Sequence, residues 1–200
     1  MGKRADLKRQ QIFERALIEA AVIAAADGLT GLTARRIAKR IGCSVGTIYN
    51  VFENLDVLIL HLNGRTLDAL FDALGGIAPG GKPLADVEAV VRCYLEFTQA
   101  NINLWGVIFE HVWPKDYALP DWYMLKVQRV LGVLEGAMAP LFPAEATIER
   151  HRAAAVLWSG LHGLCSLSMS GKLGTVDQGD LEEMVELLID NFIAGLERGA

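Results

Sequence analysis

Apolar residues recur along this chain at spacings of three and four, and no segment of useful length alternates apolar with polar, so the pattern predicts helices throughout. Ile12, Ala16, Ala20, Ile23 and Ala24 line one side of a helix over residues 8–27, and Gly28 follows as its stop. Thr33 stands as N-cap to a short second helix, with Leu32 before it and Ile37 within it placed as a hydrophobic staple. Ala34, Ile37, Ala38 and Ile41 form its buried face, Arg35, Arg36, Lys39 and Arg40 stay outside, and Gly42 occupies the left-handed C-cap position.

Ser44 caps a third helix over residues 45–52, and the four residues between leave room only for a tight turn, which is helix-turn-helix spacing. Asn54 caps a longer helix over 55–74, with Leu58, Leu62, Leu67, Leu70 and Phe71 as its apolar side. A Gly- and Pro-rich linker covers 75–83. Further helices are expected over 84–99, 101–113, 120–138, 144–171 and 181–196. The chain thus reads as all-α, a three-helix head over residues 1–54 on a larger helical body over 55–200.

Composition narrows the class. The chain is 52% hydrophobic and 22% charged, with mean hydropathy +0.29, which excludes a disordered polyelectrolyte. Its longest apolar runs, at 57–60 and 153–158, fall well short of the about 20 residues that a membrane helix requires. Lys3, Arg4, Lys8 and Arg9 ahead of the alanine-rich stretch at 16–26 imitate a secretory signal, but Glu14, Arg15 and Glu19 interrupt it. Cys43, Cys93 and Cys165 are an odd set without metal or redox spacing, so a reducing cytoplasm is the expected compartment.

The net charge of −5 conceals a division. Residues 1–50 hold nine basic and four acidic side chains, whereas the remainder holds ten basic and twenty acidic ones. A basic head on an acidic body points to an anionic partner for the head and a different task for the body.

The residues of the head suit the major groove of duplex DNA, where each base pair displays its own pattern of donors, acceptors and methyls. The helix beginning after Ser44 directs free N–H groups and a positive dipole end outward. Val45 and Gly46 lie in its first turn, Gly46 permits close approach, and Thr47, Tyr49 and Asn50 offer hydroxyls and an amide to phosphates or base edges. Arg35 and Arg36 oppose the dipole of their own helix just after Thr33, so an external anion is the expected reward, with Lys8 adding phosphate contact. Ile48 is expected in the core, and Cys43 is expected to pack in the turn.

The run from Leu32 to Phe52, with Leu-Thr, Ile-Ala four positions on, the Gly42-Cys43-Ser44 turn, Gly46-Thr47-Ile48-Tyr49 and the closing Phe52, resembles the DNA-binding domain of the TetR family of bacterial repressors. The resemblance covers about residues 8–60 and implies a homodimeric, ligand-responsive regulator of about nine helices. It further implies that the last two helices form the dimer bundle and the middle ones enclose an effector. Two positions depart from the family pattern, Val51 where a His is usual and Leu55 where a Lys is usual, so phosphate anchoring is expected from Lys3, Arg4 and Lys8. Trp158 through Gly163 also resembles a subgroup of C-terminal domains marked by Trp-x-x-x-His-Gly.

In the body, Trp105, Phe109, Trp113, Trp122, Tyr123 and Trp158 are the candidate walls of an apolar pocket, with His162 and His111 able to orient a ligand. His162 and Cys165 are too few to hold zinc, and Glu110, His111 and His162 form no nucleophile–base–orienter set, so no metal, cofactor or catalytic residue is expected. Gly76 through Lys82 imitates a phosphate-binding loop, but Pro83 stands where a hydroxyl should be and no strand precedes it, which leaves a linker. Leu181, Met184, Val185, Leu188 and Phe192, facing the small Gly160 and Gly163, are the expected homodimer seam. The partners expected are an operator duplex, a small effector and a second copy, with no membrane. The rival reading is a helical small-molecule binding protein that no longer uses its head, for which Val51 and Leu55 are the only support.

Overall fold

The computed structural model describes residues 2–77 and 80–199, with side chains over 6–77 and 80–198. Among the described residues there are nine α-helices and two short 3-10 turns, with no strand. Packing divides them into two units, Met1–Asp68 with Asn101–Tyr123, and Ala69–Ala100 with Met124–Ala200.

The first unit holds α1 (Gly2–Gly31), α2 (Ala34–Ile41), α3 (Val45–Phe52), most of α4 (Leu55–Leu74) and α6 (Ile102–Glu110). Gly28 adopts φ 62°, ψ −158° and breaks α1 before its last turn. At Thr33 the side-chain oxygen accepts the Arg36 N–H at 3.2 Å, closing the start of α2. Gly42 adopts φ 74°, ψ 40°, and the Cys43 N–H reaches back to the Ala38 carbonyl at 3.0 Å, the hydrogen bond of a Schellman ending. Ser44 accepts the Thr47 N–H at 3.1 Å and Asn54 accepts the Val57 N–H at 2.8 Å, so each cap expected on α2, α3 and α4 is made. Ala16, Ala20, Ile23 and Ala24 of α1 meet Ile37, Ala38 and Ile41 of α2, Ile48 and Phe52 of α3, and Val107 of α6 in one apolar core. Ile12 packs half-buried at its margin.

The second unit contains the end of α4, α5 (Pro83–Ala100), most of α7 (Asp121–Ala137), α8 (Thr147–Met169) and α9 (Leu181–Gly199). Apart from Ala78 and Pro79, which lie outside the described residues, the expected linker precedes α5 without helix. The buried Asp86 carboxylate accepts the N–H groups of Gly80, Gly81 and Lys82 at 2.7, 2.9 and 3.1 Å. The loop that imitates a phosphate cradle is therefore filled by a carboxylate of its own chain.

Candidate nucleic-acid interface and effector body

In the head, α1 uses many of the cations counted in the sequence. Arg36 pairs with Asp27 and Arg40 with Glu19, both across to α1. Arg15 donates to the Ile41 carbonyl at 3.1 Å and Arg9 to the Val51 carbonyl at 3.3 Å, placing guanidinium groups at the negative ends of α2 and α3. Asp27 is thus the reward for Arg36 that the sequence left to an external anion. Among the described residues, Arg35, Lys39 and Lys8 remain exposed on this unit with no acidic partner. The side chains of Lys3 and Arg4 lie outside the described residues.

The helix that follows the turn presents a mixed face. Ile48 is fully buried, as expected, and Val45 is half-buried against the head core, which leaves only part of it outward. Tyr49 is 44% exposed, and Asn50 is exposed beside it. The Ser44 and Thr47 hydroxyls lie 2.9 Å apart, so one hydroxyl proton bridges them and the other is available. Thr33 accepts from Arg36 and keeps its own O–H to donate. A methyl built at Gly46 would meet only Ser44 Oγ, at 3.7 Å, so nothing within the chain requires glycine there. Burial raises the Cys43 thiol above its ordinary pKa, partly offset by Arg15, which suits packing better than reactivity.

The aromatic residues singled out in the body fall in both units. Trp105, Phe109, Trp113, Trp122 and Tyr123 belong to the first, Trp158 and His162 to the second. Trp105 is buried and tilts against Phe109 with centroids 5.5 Å apart, while Trp113 stacks on Tyr117 at 5.4 Å and takes the edge of His111 at 4.4 Å. His111 Nε2 and Asp56 Oδ1 are 2.9 Å apart. Tyr123 is buried, and the cost of burying its charged form pushes the phenol up to about 12.

In the second unit Trp158 stacks on His162 at 5.4 Å, and the Tyr94 hydroxyl lies 3.3 Å from His162 Nδ1. Desolvation lowers the pKa of His162, favouring the neutral ring, and raises the Cys165 thiol to about 11 against smaller opposing hydrogen bonds from Thr98 and Tyr94. An apolar void of about 20 Å³ lies among Val91, Tyr94, Leu134 and Trp158, enough for about one water. An open groove of about 300 Å³ runs along the contact of α5 with α9, lined by Val91, Leu95, Val185 and Ile189 and by Glu88, Glu96, Glu182 and Glu186.

Of the residues expected at a dimer seam, Val185 is buried inside the chain, and a methyl built on Gly160 would meet Leu188 of the same chain at 3.1 Å. Leu181, Met184, Leu188 and Phe192 are half-buried and Gly163 is exposed. Leu187 and Val156, which periodicity alone did not single out, are 64% and 61% exposed on α9 and α8. Among the described residues no three His, Cys, Asp or Glu side chains converge as a metal site, and no helix is long and apolar enough to cross a membrane.

The family model described as Tetracyclin repressor-like, C-terminal domain, matches residues 87–192. Among curated proteins none matches the chain. Among solved structures, the regulatory-type protein SCO4313 is similar at 22% identity and TM-score 0.74, over 94% of this chain and 98% of that one. A transcriptional regulator from Rhodococcus sp. RHA1, RHA1_ro04179, is similar at 20% identity and TM-score 0.67, over 92% and 97%. A TetR transcriptional regulator from the same organism is similar at 17% identity and TM-score 0.63, over 92% and 96%. At these identities the likeness to solved structures is one of fold. With the family model spanning residues 87–192 and the helix-turn-helix run standing ahead of it, the chain belongs to the TetR family of transcriptional regulators.

Proposed function

We propose that the protein is a cytoplasmic repressor that binds a palindromic operator as a homodimer and responds to a small apolar or aromatic effector. The observation that carries the DNA-binding part is the contrast between Arg36, paired with Asp27, and Arg35, exposed in the same first turn with no acidic partner among the described residues. A cation that opposes its own helix dipole and lacks an internal partner is best satisfied by phosphate or by a guanine edge. Gly46, Tyr49 and Asn50 on α3 supply the approach and the polar groups beside it, and Lys8 on α1 supplies phosphate contact.

Two-fold symmetry matches the task, since two recognition helices in fixed relation read an inverted repeat. Leu187, Leu188, Val156 and Gly163 on α8 and α9 are the residues through which a second copy packs in this reading. In this reading the candidates for contact with the effector are Trp105, Phe109, Trp113, Trp122 and Tyr123 in the first unit and, separately, Trp158 and His162 in the second. Its effect on DNA requires that effector and operator favour different conformations, so that each weakens the other reciprocally.

The test is a fluorescence anisotropy titration of the full chain on duplexes from the region upstream of its own gene, repeated across salt concentrations. A saturable, sequence-specific complex with a steep salt dependence is expected. Equal affinity for all duplexes would overturn the regulator reading.

A further inference from the structure

Four polar residues are buried in the described chain, and three of them are satisfied. Thr66 donates to the Leu62 carbonyl at 3.3 Å, Thr98 to the Leu95 carbonyl at 3.0 Å, and Asp86 accepts three N–H groups. Asn63, in the middle of α4, is the exception. It is 0% exposed, and neither its Nδ2 nor its Oδ1 has a hydrogen-bond partner among the described residues. One turn away along the helix stand Ile59, Leu60 and Leu67, all buried, and Thr66, whose hydroxyl is already engaged.

A buried amide left without partners is unfavourable, and asparagine is a weaker helix former than leucine, which has the same branching without the polar atoms. Folding therefore gives no reason for the residue. We propose that the Asn63 carboxamide is the polar recognition group of the effector site, and that it selects an apolar, ring-bearing molecule carrying an adjacent hydrogen-bond donor and acceptor. This rests on the effector reading above and specifies the chemistry of that ligand.

The chemistry follows from the side chain. A carboxamide offers N–H donors and carbonyl lone pairs in one plane, so its complement is a group with one donor and one acceptor side by side: a primary amide, a lactam or a protonated carboxylic acid. Seated among Ile59, Leu60 and Leu67, the group must be neutral, because an ionised one would lose its hydration without a counter-charge. A site built in this way rejects an analogue of the same shape that lacks the polar pair, since the amide is then left unpaired again.

Three probes of matched size test this on the full chain: benzamide, with donor and acceptor; acetophenone, with acceptor only; and ethylbenzene, with neither. Ligand-observed NMR titration of the wild-type protein is expected to rank benzamide about tenfold or more ahead of ethylbenzene, with acetophenone between. In Asn63→Leu the order is expected to reverse, and the variant is expected to melt at a higher temperature than wild type.

Ethylbenzene binding as well as benzamide to the wild type overturns the assignment while leaving an apolar effector site standing. Should none of the three bind, the assignment and the aromatic-effector reading both fall. An unchanged rank order in Asn63→Leu together with a lower melting temperature is what an amide holding only buried water would give, and it also overturns the proposal. If Asn63→Leu does not fold, the wild-type ranking and Asn63→Ser, expected to lose the benzamide preference, decide the matter.

Discussion

The imidazole of His61 lies flat against the indole of Trp122, with ring centroids 4.7 Å apart and planes 7° apart. Phe13 meets His61 edge-on at 4.9 Å and stacks on Phe52 at 4.9 Å, so a row of four rings runs from the end of α3 through α1 and α4 to the first turn of α7. Trp122→Ala is expected to lower the unfolding free energy by about 1–3 kcal/mol in urea titrations, from lost area and lost ring contact. The ranking of operator variants should not change, because Tyr49 and Asn50 stay as they are. A stability loss below about 0.5 kcal/mol would mark the row as incidental.

Arg35 and Arg36 are adjacent in sequence yet differ in partner, and their alanine variants should separate accordingly. Arg36→Ala removes an ion pair between two half-exposed side chains and should cost at most about 1 kcal/mol of stability, an effect that Asp27→Asn should reproduce. Arg35→Ala should leave the urea midpoint unchanged and reduce discrimination between operator and unrelated duplex by about 1–3 kcal/mol. Competition titrations decide it. If Arg36→Ala loses discrimination and Arg35→Ala does not, the roles are reversed.

Gly46 offers a case in which stability and binding should move in opposite directions. Among the described residues an added methyl would meet Ser44 Oγ at 3.7 Å and nothing nearer, so Gly46→Ala should fold and gain up to about 1 kcal/mol from helix propensity. In the proposed function the same methyl stands on the face that approaches DNA, and operator affinity should then fall about tenfold, or about 1.4 kcal/mol. Retained affinity in a stabilised Gly46→Ala would remove α3's first turn from the interface.

At Asp86, replacement by alanine removes the buried carboxylate that accepts from three N–H groups in the turn before α5. The expected loss is about 1–3 kcal/mol, read from urea unfolding. Asp86→Asn, which keeps one acceptor oxygen, should lose less. Equal stability of wild type and Asp86→Ala would mean that the loop does not depend on this carboxylate.

The pH dependence carries a sign set by His162. Burial holds its folded pKa below the ordinary 6.5, so between that value and the depressed one the unfolded chain binds more protons than the folded one. Stability should therefore fall as pH drops through 6.5 towards the depressed folded value, and this component should be absent above 6.5. His162→Gln should flatten that part of the profile in urea midpoints taken from pH 8 down. An unchanged slope in the variant would place the acid sensitivity elsewhere.

The head was the most legible part of the sequence. Its helix ends are written in residues with one strong conformational use, Thr33, Gly42, Ser44 and Asn54: α2, α3 and α4 begin, and α2 ends, where those residues place them. The ends of α6 were less readable, because Asn101 makes no side-chain cap bond and the helix stops at Glu110, short of the 113 that apolar spacing predicts. Which cations are free was not readable at all. Arg36 and Arg40 find Asp27 and Glu19 only once α2 packs on α1, and nothing in local spacing marks those pairs. Asn63 was hidden for a related reason, since one polar residue on an apolar helix face looks like noise until its burial and lack of partners are known.

In the proposed function two copies of this head read a symmetric DNA sequence through α3 and Arg35. Selection of the full-length protein against a pool of random duplexes, with sequencing of the retained fraction, tests it most directly. An inverted repeat should be enriched, with Arg35→Ala relaxing the preference at equivalent positions in both half-sites. Retention of duplexes without any enriched sequence, or of an asymmetric motif unaffected by Arg35→Ala, would contradict it.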